Sequence, residues 1–221
     1  MNIANRAFAC CITLWYTGLR VMGQVEQAIN ILKRGGIVAF PTDTVYGLGA
    51  SALDDDAVAR VYEAKNRPRN LALPLLLSHI SQIESVAQFV PEIAWRLAQC
   101  FLPGALTLVL YKAPGVSSVV TGGGDTVALR VPDHPVPIAL IQGLGAPITG
   151  TSANITGGPS LLTAEEVRRQ MGNKVDFVID GECRGGMDST VLDVTSETPR
   201  ILREGAISRE EIDRFCSTKV S

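Results

Sequence analysis

Histidine occurs only at positions 79 and 134, and the five cysteines (Cys10, Cys11, Cys100, Cys183 and Cys216) include no Cys-x-x-Cys pair. So few ligands argue against a dedicated zinc site, and the odd cysteine count argues against a complete disulfide framework. Reduced thiols in a cytoplasmic compartment are the simplest reading. Aromatic side chains make up only 5% of the chain, which leaves little stacking surface for RNA bases. An excess of one charge is also missing: 20 Lys and Arg stand against 22 Asp and Glu, a net charge of −2. A general basic coat for nucleic acid is thereby excluded, whereas a local basic patch is not. No apolar run is long enough to span a bilayer, since the uncharged stretch from Ala7 to Leu19 is closed by Arg6 and Arg20. That stretch weakly resembles a signal h-region or an organelle presequence, but no clear small-residue cleavage site follows it. Finally, no G-x-x-x-x-G-K-[ST] phosphate cradle occurs anywhere.

What is present describes one mixed α/β domain. Hydrophobic residues reach 46% and charged ones 19% over 221 residues, enough to bury a substantial core. Apolar periodicity becomes regular only after Met22, so residues 1–22 read as an N-terminal extension, 23–216 as the domain and 217–221 as a tail. Val25, Ala28, Ile29 and Leu32 have helical spacing that stops at Gly35-Gly36, and Ile37 to Phe40 suits a buried strand. Asp54 or Asp55 can cap a second helix, which should end near Lys65 because Pro68 disfavours helical geometry at Arg67. Pro91 to Phe101 reads as a helix, and capping boxes at Thr163–Glu166 and Ser208–Glu211 open two more. Ala105–Tyr111, Thr126–Val131, Pro147–Gly150, Val175–Ile179, Thr190–Val194 and Arg200–Leu202 read as strands. Thr121 to Asp125, with three glycines, reads as a turn.

Three segments carry polar groups suited to a ligand. Pro41 to Gly49 follows a strand directly, with Thr42 and Thr44 offering hydroxyls and glycines allowing close backbone approach; an ordinary strand-to-turn exit would look the same. Lys65 and Arg67 are two residues apart, so in extended geometry both cations can point at one anion, with Arg69 behind them. A solvated basic loop is the plain alternative. Ser152 and Asn154 repeat that spacing with neutral donors, or form a simple turn.

Together the blocks resemble the YrdC/Sua5 family, the threonylcarbamoyl-AMP synthases. The resemblance runs from about Val25 to Phe215 and rests on seven blocks in order. They are G-G-x-V-A-F-P-T-D-T-V-Y-G-L-G from Gly35, K-x-R-P at Lys65, P-G-x-L-T at Pro103, D-T-V-A-x-R-x-P from Asp125, S-A-N at Ser152, S-T at Ser189, and L-R-x-G at Leu202. The resemblance implies a twisted mixed β-sheet flanked by helices around a concave basic cavity. It implies synthesis of threonylcarbamoyl-AMP and pyrophosphate from L-threonine, bicarbonate or CO2, and ATP, for threonylcarbamoyladenosine modification of tRNA. By the same resemblance, Lys65, Arg67, Ser152 and Asn154 form the catalytic group. Lys65, Arg69, Thr126, Ser152, Ser160 and Arg203 hold ATP, and Thr42, Arg130, Gly150 and Ser189 hold threonine. Mg2+ would arrive with ATP, with no metal site of the protein's own. The adenylate would pass to a tRNA-modification transferase complex in the cytoplasm, away from membranes, and a weak direct contact with tRNA is compatible with this. The chain ends soon after the domain, which resembles the short single-domain YrdC form. Ser78 or His79 lies near where archaeal members carry a histidine, and His134, between Asp133 and Pro135, reads as a turn residue. The competing reading is an RNA-binding module in which Lys65, Arg67, Arg69, Arg130 and Arg203 grip a phosphate backbone without catalysis.

Overall fold

The computed structural model describes residues 21–183 and 185–216; most of the expected N-terminal extension and the whole 217–221 tail lie outside the described residues. Helix α1 runs through 21–32, and Gly35, at φ +76°, turns the chain out of it. Strands β1 (Val38–Phe40) and β2 (Gly47–Gly49) then form an antiparallel pair. Helix α2 (Asp55–Lys65) is capped by Asp54, whose carboxylate accepts from the Ala57 N–H, and ends on Asn66 at φ 51°. Beyond it lie β3 (Leu75–Leu76), α3 (Ile83–Val86), α4 (Glu92–Phe101), β4 (Leu106–Tyr111) and β5 (Thr126–Arg130). The second half contains α5 (Pro135–Leu144), β6 (Ile148–Thr149), β7 (Thr151–Ser152) and α6 (Ala164–Met171). It ends with β8 (Phe177–Val178), β9 (Thr190–Asp193), β10 (Arg200–Arg203) and α7 (Arg209–Cys216).

Where the sequence suggests one twisted mixed sheet, the structure has two. A four-stranded sheet has the order β7-β2-β1-β8, and a six-stranded sheet the order β10-β9-β4-β5-β3-β6; both mix parallel and antiparallel pairs. The chain passes from one sheet to the other at Gly150, between β6 and β7. The sheets meet where a Cβ on Gly49 would lie 2.1 Å from the Thr149 carbonyl oxygen, so only glycine permits the approach. Next to it, Ser51 bridges Ile148 across the seam.

Alternation along the six-stranded sheet decides which residues face what. Leu106, Leu108 and Leu110 on β4 and Val127 and Leu129 on β5 join the main core, beside Leu192 of β9. The intervening Thr107, Val109, Thr126, Ala128, Arg130 and Val191 line a cavity on the opposite face. A second apolar cluster holds α1 and α5 against β1 and β6 through Ala28, Leu32, Leu140, Ile141, Val38 and Ile148. Helix α5 departs from the turn expected around His134. That histidine is its N-cap, with Nδ1 accepting from the Val136 N–H at 3.2 Å, and Pro135 opens the first turn, where a missing N–H is harmless. Among the described residues, no helix is long and apolar enough to cross a membrane.

Candidate functional site

The cavity on the six-stranded sheet measures about 360 Å³. Its floor is the small-residue face of β4, β5 and β9, and its walls are the Thr42–Gly47 segment, the Gly150–Ser152 crossover, and the loop bearing Arg67. Small side chains on the floor leave the space open, and residues remote in sequence supply the polar rim. Arg67, Arg130, Arg203 and Asp188 are its charged lining residues. Of the sequence-predicted site residues, Thr42, Arg67, Thr126, Arg130, Gly150, Ser152, Ser189 and Arg203 all border this one space.

Arg130 is buried, with each part of its guanidinium engaged. Nε donates to the Gly104 carbonyl at 2.8 Å, one terminal nitrogen to the Thr44 hydroxyl at 2.9 Å, and the other to Asp43 at 2.7 Å. Burial lowers its pKa and the Asp43 charge opposes that shift. Each terminal nitrogen keeps one further N–H for a ligand. The Thr42 hydroxyl donates to the Val45 carbonyl at 2.7 Å, and Ser189 is 2.8 Å from the Thr107 hydroxyl. Thr107, buried on the cavity floor, was not among the expected site residues, although it ends the P-G-x-L-T block; its place on the lining face of β4 singles it out. Arg203 lies half-exposed at the mouth, donating to the Ser189 carbonyl at 2.9 Å, with Asp188 3.8 Å away. Arg67 braces its loop through the carbonyls of Leu71 and Ala72, and burial lowers its pKa.

Four expected site residues do not line the cavity. Arg69 is on the surface, paired with Glu63 at 3.0 Å, with 65% of its side chain exposed. Ser160 stands one residue back, 3.4 Å from Asp188. Lys65 and Asn154 are both buried, at 1% and 5% exposure, behind the Ser152 wall. The Lys65 ammonium donates to the Ser152 and Asn154 carbonyls and to Asn154 Oδ1, one partner for each of its three N–H groups. Asn154 Nδ2 donates to the Gly158 carbonyl at 2.6 Å, which fixes the amide orientation, and Ser152 Oγ donates to Oδ1 at 2.6 Å. All three Lys65 donors and one N–H of the Asn154 amide are therefore engaged within the protein. Burial, with the nearby Arg67 charge, pushes the Lys65 pKa down to about 8, against the attraction of Asp188.

Two other polar groups considered from sequence also lie apart from this space. His79 caps a short 3₁₀ turn, accepting from the Ser81 N–H at 3.2 Å, and like Ser78 it borders a separate, mostly apolar hollow shared with His134. The glycines of the Thr121–Asp125 turn do not line the cavity. Cys183 accepts from the Thr42 N–H, and burial pushes its thiol up to about 11. Among the described residues, no three His, Cys, Asp or Glu side chains are grouped to hold a metal ion.

These features define an α/β protein with a cavity lined by hydroxyl groups and three guanidinium groups. Residues 30–205 match the model of the Sua5/YciO/YrdC family, described as telomere recombination. The chain belongs to this family. It is 45% identical over 192 residues to the threonylcarbamoyl-AMP synthases of Pyrococcus abyssi and of Bacillus subtilis, covering 86% of this chain and 56% of each of those proteins. The crystal structure of P. abyssi Sua5 complexed with L-threonine superposes with a TM-score of 0.86 at 44% identity, covering 89% of this chain and 58% of that one. The chain thus spans little more than half the length of these relatives.

Proposed function

We propose that this chain is an L-threonylcarbamoyladenylate synthase, a nucleotidyltransferase that uses ATP, L-threonine and bicarbonate. The observation that carries the reading is the convergence of Arg67, Arg130 and Arg203, from three distant segments, on one hydroxyl-rich cavity, in a chain 45% identical to proteins of that name. In the proposed reaction the free amine of threonine attacks the bicarbonate carbon, forming a C–N bond and releasing water. A carbamate oxygen then attacks the α-phosphorus of ATP and pyrophosphate leaves. Such chemistry depends on alignment and charge compensation more than on covalent help.

In this reading Arg67 and Arg203, near the mouth, face the phosphates, with Thr126 and Ser152 beside them. Arg130, with Ser189, Thr42 and the Gly150 backbone, receives threonine, because the remaining N–H groups of a fixed guanidinium suit a carboxylate. Ser160 acts through Asp188, and Arg69 stays outside. Asp188 is the one carboxylate among the lining residues, so the donors fit a Mg2+ held mainly by phosphate and water oxygens. When bound with ATP, Mg2+ would offset phosphate charge. The product's place is the cytoplasm, where a tRNA-modifying transferase complex would consume it. A purely RNA-binding role would need the cations on an open surface, and three of the five named for it face the cavity. The test is to incubate the purified chain with ATP, bicarbonate and L-threonine and follow pyrophosphate and adenylate. Threonine-dependent release is expected; equal release without threonine, or none, rejects the reading.

A further inference from the structure

Arg67, Arg130 and Arg203 reach the cavity directly, but a fourth cation stands behind its wall. The Lys65 ammonium is 1% exposed and bonds only to neutral oxygens: the carbonyls of Ser152 and Asn154 and the Asn154 side-chain Oδ1. Among the described residues, no carboxylate lies within ion-pair distance of it. The charged groups that face it are Arg67, on the loop following its own helix, and Asp188, on the loop ahead of β9. Only one layer of chain, Ser152 with its hydroxyl tied to Asn154, separates the ammonium from the cavity.

A buried charge with no counter-ion is costly in the empty protein, and an anion entering the adjacent cavity would relieve that cost across a low-dielectric wall. Oxygen dipoles hold the ammonium in place but do not cancel its charge. We propose that Lys65 is a positioning residue that acts without touching the ligand: its three N–H groups lock the Ser152–Asn154 turn, and its charge is balanced by a polyphosphate bound on the other side. This rests on the reading of the cavity as a site for ATP, and changes the part Lys65 plays in it. An independent consequence is that anion binding is linked to protonation. In the free protein the ammonium gives up its proton near pH 8 rather than near 10.5. A bound polyphosphate restores the proton, so binding takes one up in the interval between those values.

Calorimetric titration with a non-hydrolysable ATP analogue, and separately with tripolyphosphate, in buffers of different ionisation heat reads this directly. A ligand phosphate that still carries a proton releases it on binding, so the Lys65 proton is read as the uptake of the wild type less that of Lys65→Met titrated with the same ligand at the same pH. That difference should approach one proton at about pH 9 and be close to none at about pH 7. Lys65→Met should bind roughly tenfold or more weakly near neutral pH. A loss of packing alone would weaken binding without moving the proton count. Should that variant not fold, carbon NMR of the wild-type lysine side chains supplies the same answer: the resonance titrating near pH 8 should move upward on adding either ligand. Binding with equal uptake in the wild type and the variant, or with that resonance unmoved, overturns this role for Lys65 and leaves the synthase reading standing. Failure of both ligands to bind the wild type removes both.

Discussion

Arg130 and Lys65 are both buried beside the same cavity, but their charges are held in different ways. Arg130 has Asp43 at 2.7 Å and lines the cavity, with a second N–H on each terminal nitrogen beyond its bonds to Thr44 and Asp43. Among the described residues Lys65 has no carboxylate partner, and its three donors meet protein oxygens behind the wall. A guanidinium can join a carboxylate on one side and keep planar donors free on the other, whereas an ammonium with three acceptors has none left. The Arg130 wall is therefore balanced before any ligand arrives. The Lys65 wall is not, so ligand binding should register there.

Breaking the balanced wall should have the largest effect. Asp43→Ala leaves Arg130 buried and unpaired, and urea unfolding should show a loss of about 3–5 kcal/mol; a loss below 1 kcal/mol would mean the pair is no more than a surface contact. The unbalanced wall gives a smaller effect with a definite pH signature. Unfolded Lys65 keeps its proton until about 10.5 and folded Lys65 loses it near 8. Between those values the unfolded state binds more protons, so this group's contribution to stability rises with pH. Without ligand, the wild type should therefore gain on Lys65→Met by about 1–3 kcal/mol between pH 7 and pH 10. A flat difference across that range would show that the ammonium is not destabilised by burial. The smallest effects compare neighbours on one loop. Arg67→Ala should lower kcat/KM at least about tenfold, roughly 1.4 kcal/mol, while Arg69→Ala, which removes only an exposed pair with Glu63, should change it less than about twofold. Equal losses would place both arginines at the ligand.

Local signals in the sequence found many element ends because they act within a few residues. Asp54 caps α2 and the Thr163–Glu166 box opens α6 as the residue types require, and Gly35 ends α1. His134 reads as a turn residue in the sequence and is instead the N-cap of α5, whose Pro135 and Pro137 both fall in the first turn, where no intrahelical N–H is needed. The Pro41–Gly49 segment is compatible in sequence with a ligand floor or a strand-to-turn exit, and Gly47-Leu-Gly49 has no strand propensity of its own; pairing with β1 and β7 makes it strand β2. Lys65 and Arg67 could aim at one anion only in extended geometry, but α2 continues through Lys65 and buries its side chain, while Arg67 lies beyond the cap.

By itself the sequence determined the α/β class, the order of the family's blocks and the residue types gathered at the cavity. The class follows from periodicity, capping and composition, which are properties of nearby residues, whereas the residues expected at the cavity follow from the resemblance of the ordered blocks to the family. Only the tertiary structure decided that there are two sheets rather than one, that Arg69 stays outside, and that Lys65 lies behind the wall instead of in it. The first depends on which distant strands pair, and the other two on which distant groups surround a side chain. Burial and partner count are set by long-range packing, which the spacing of residues along a chain does not encode.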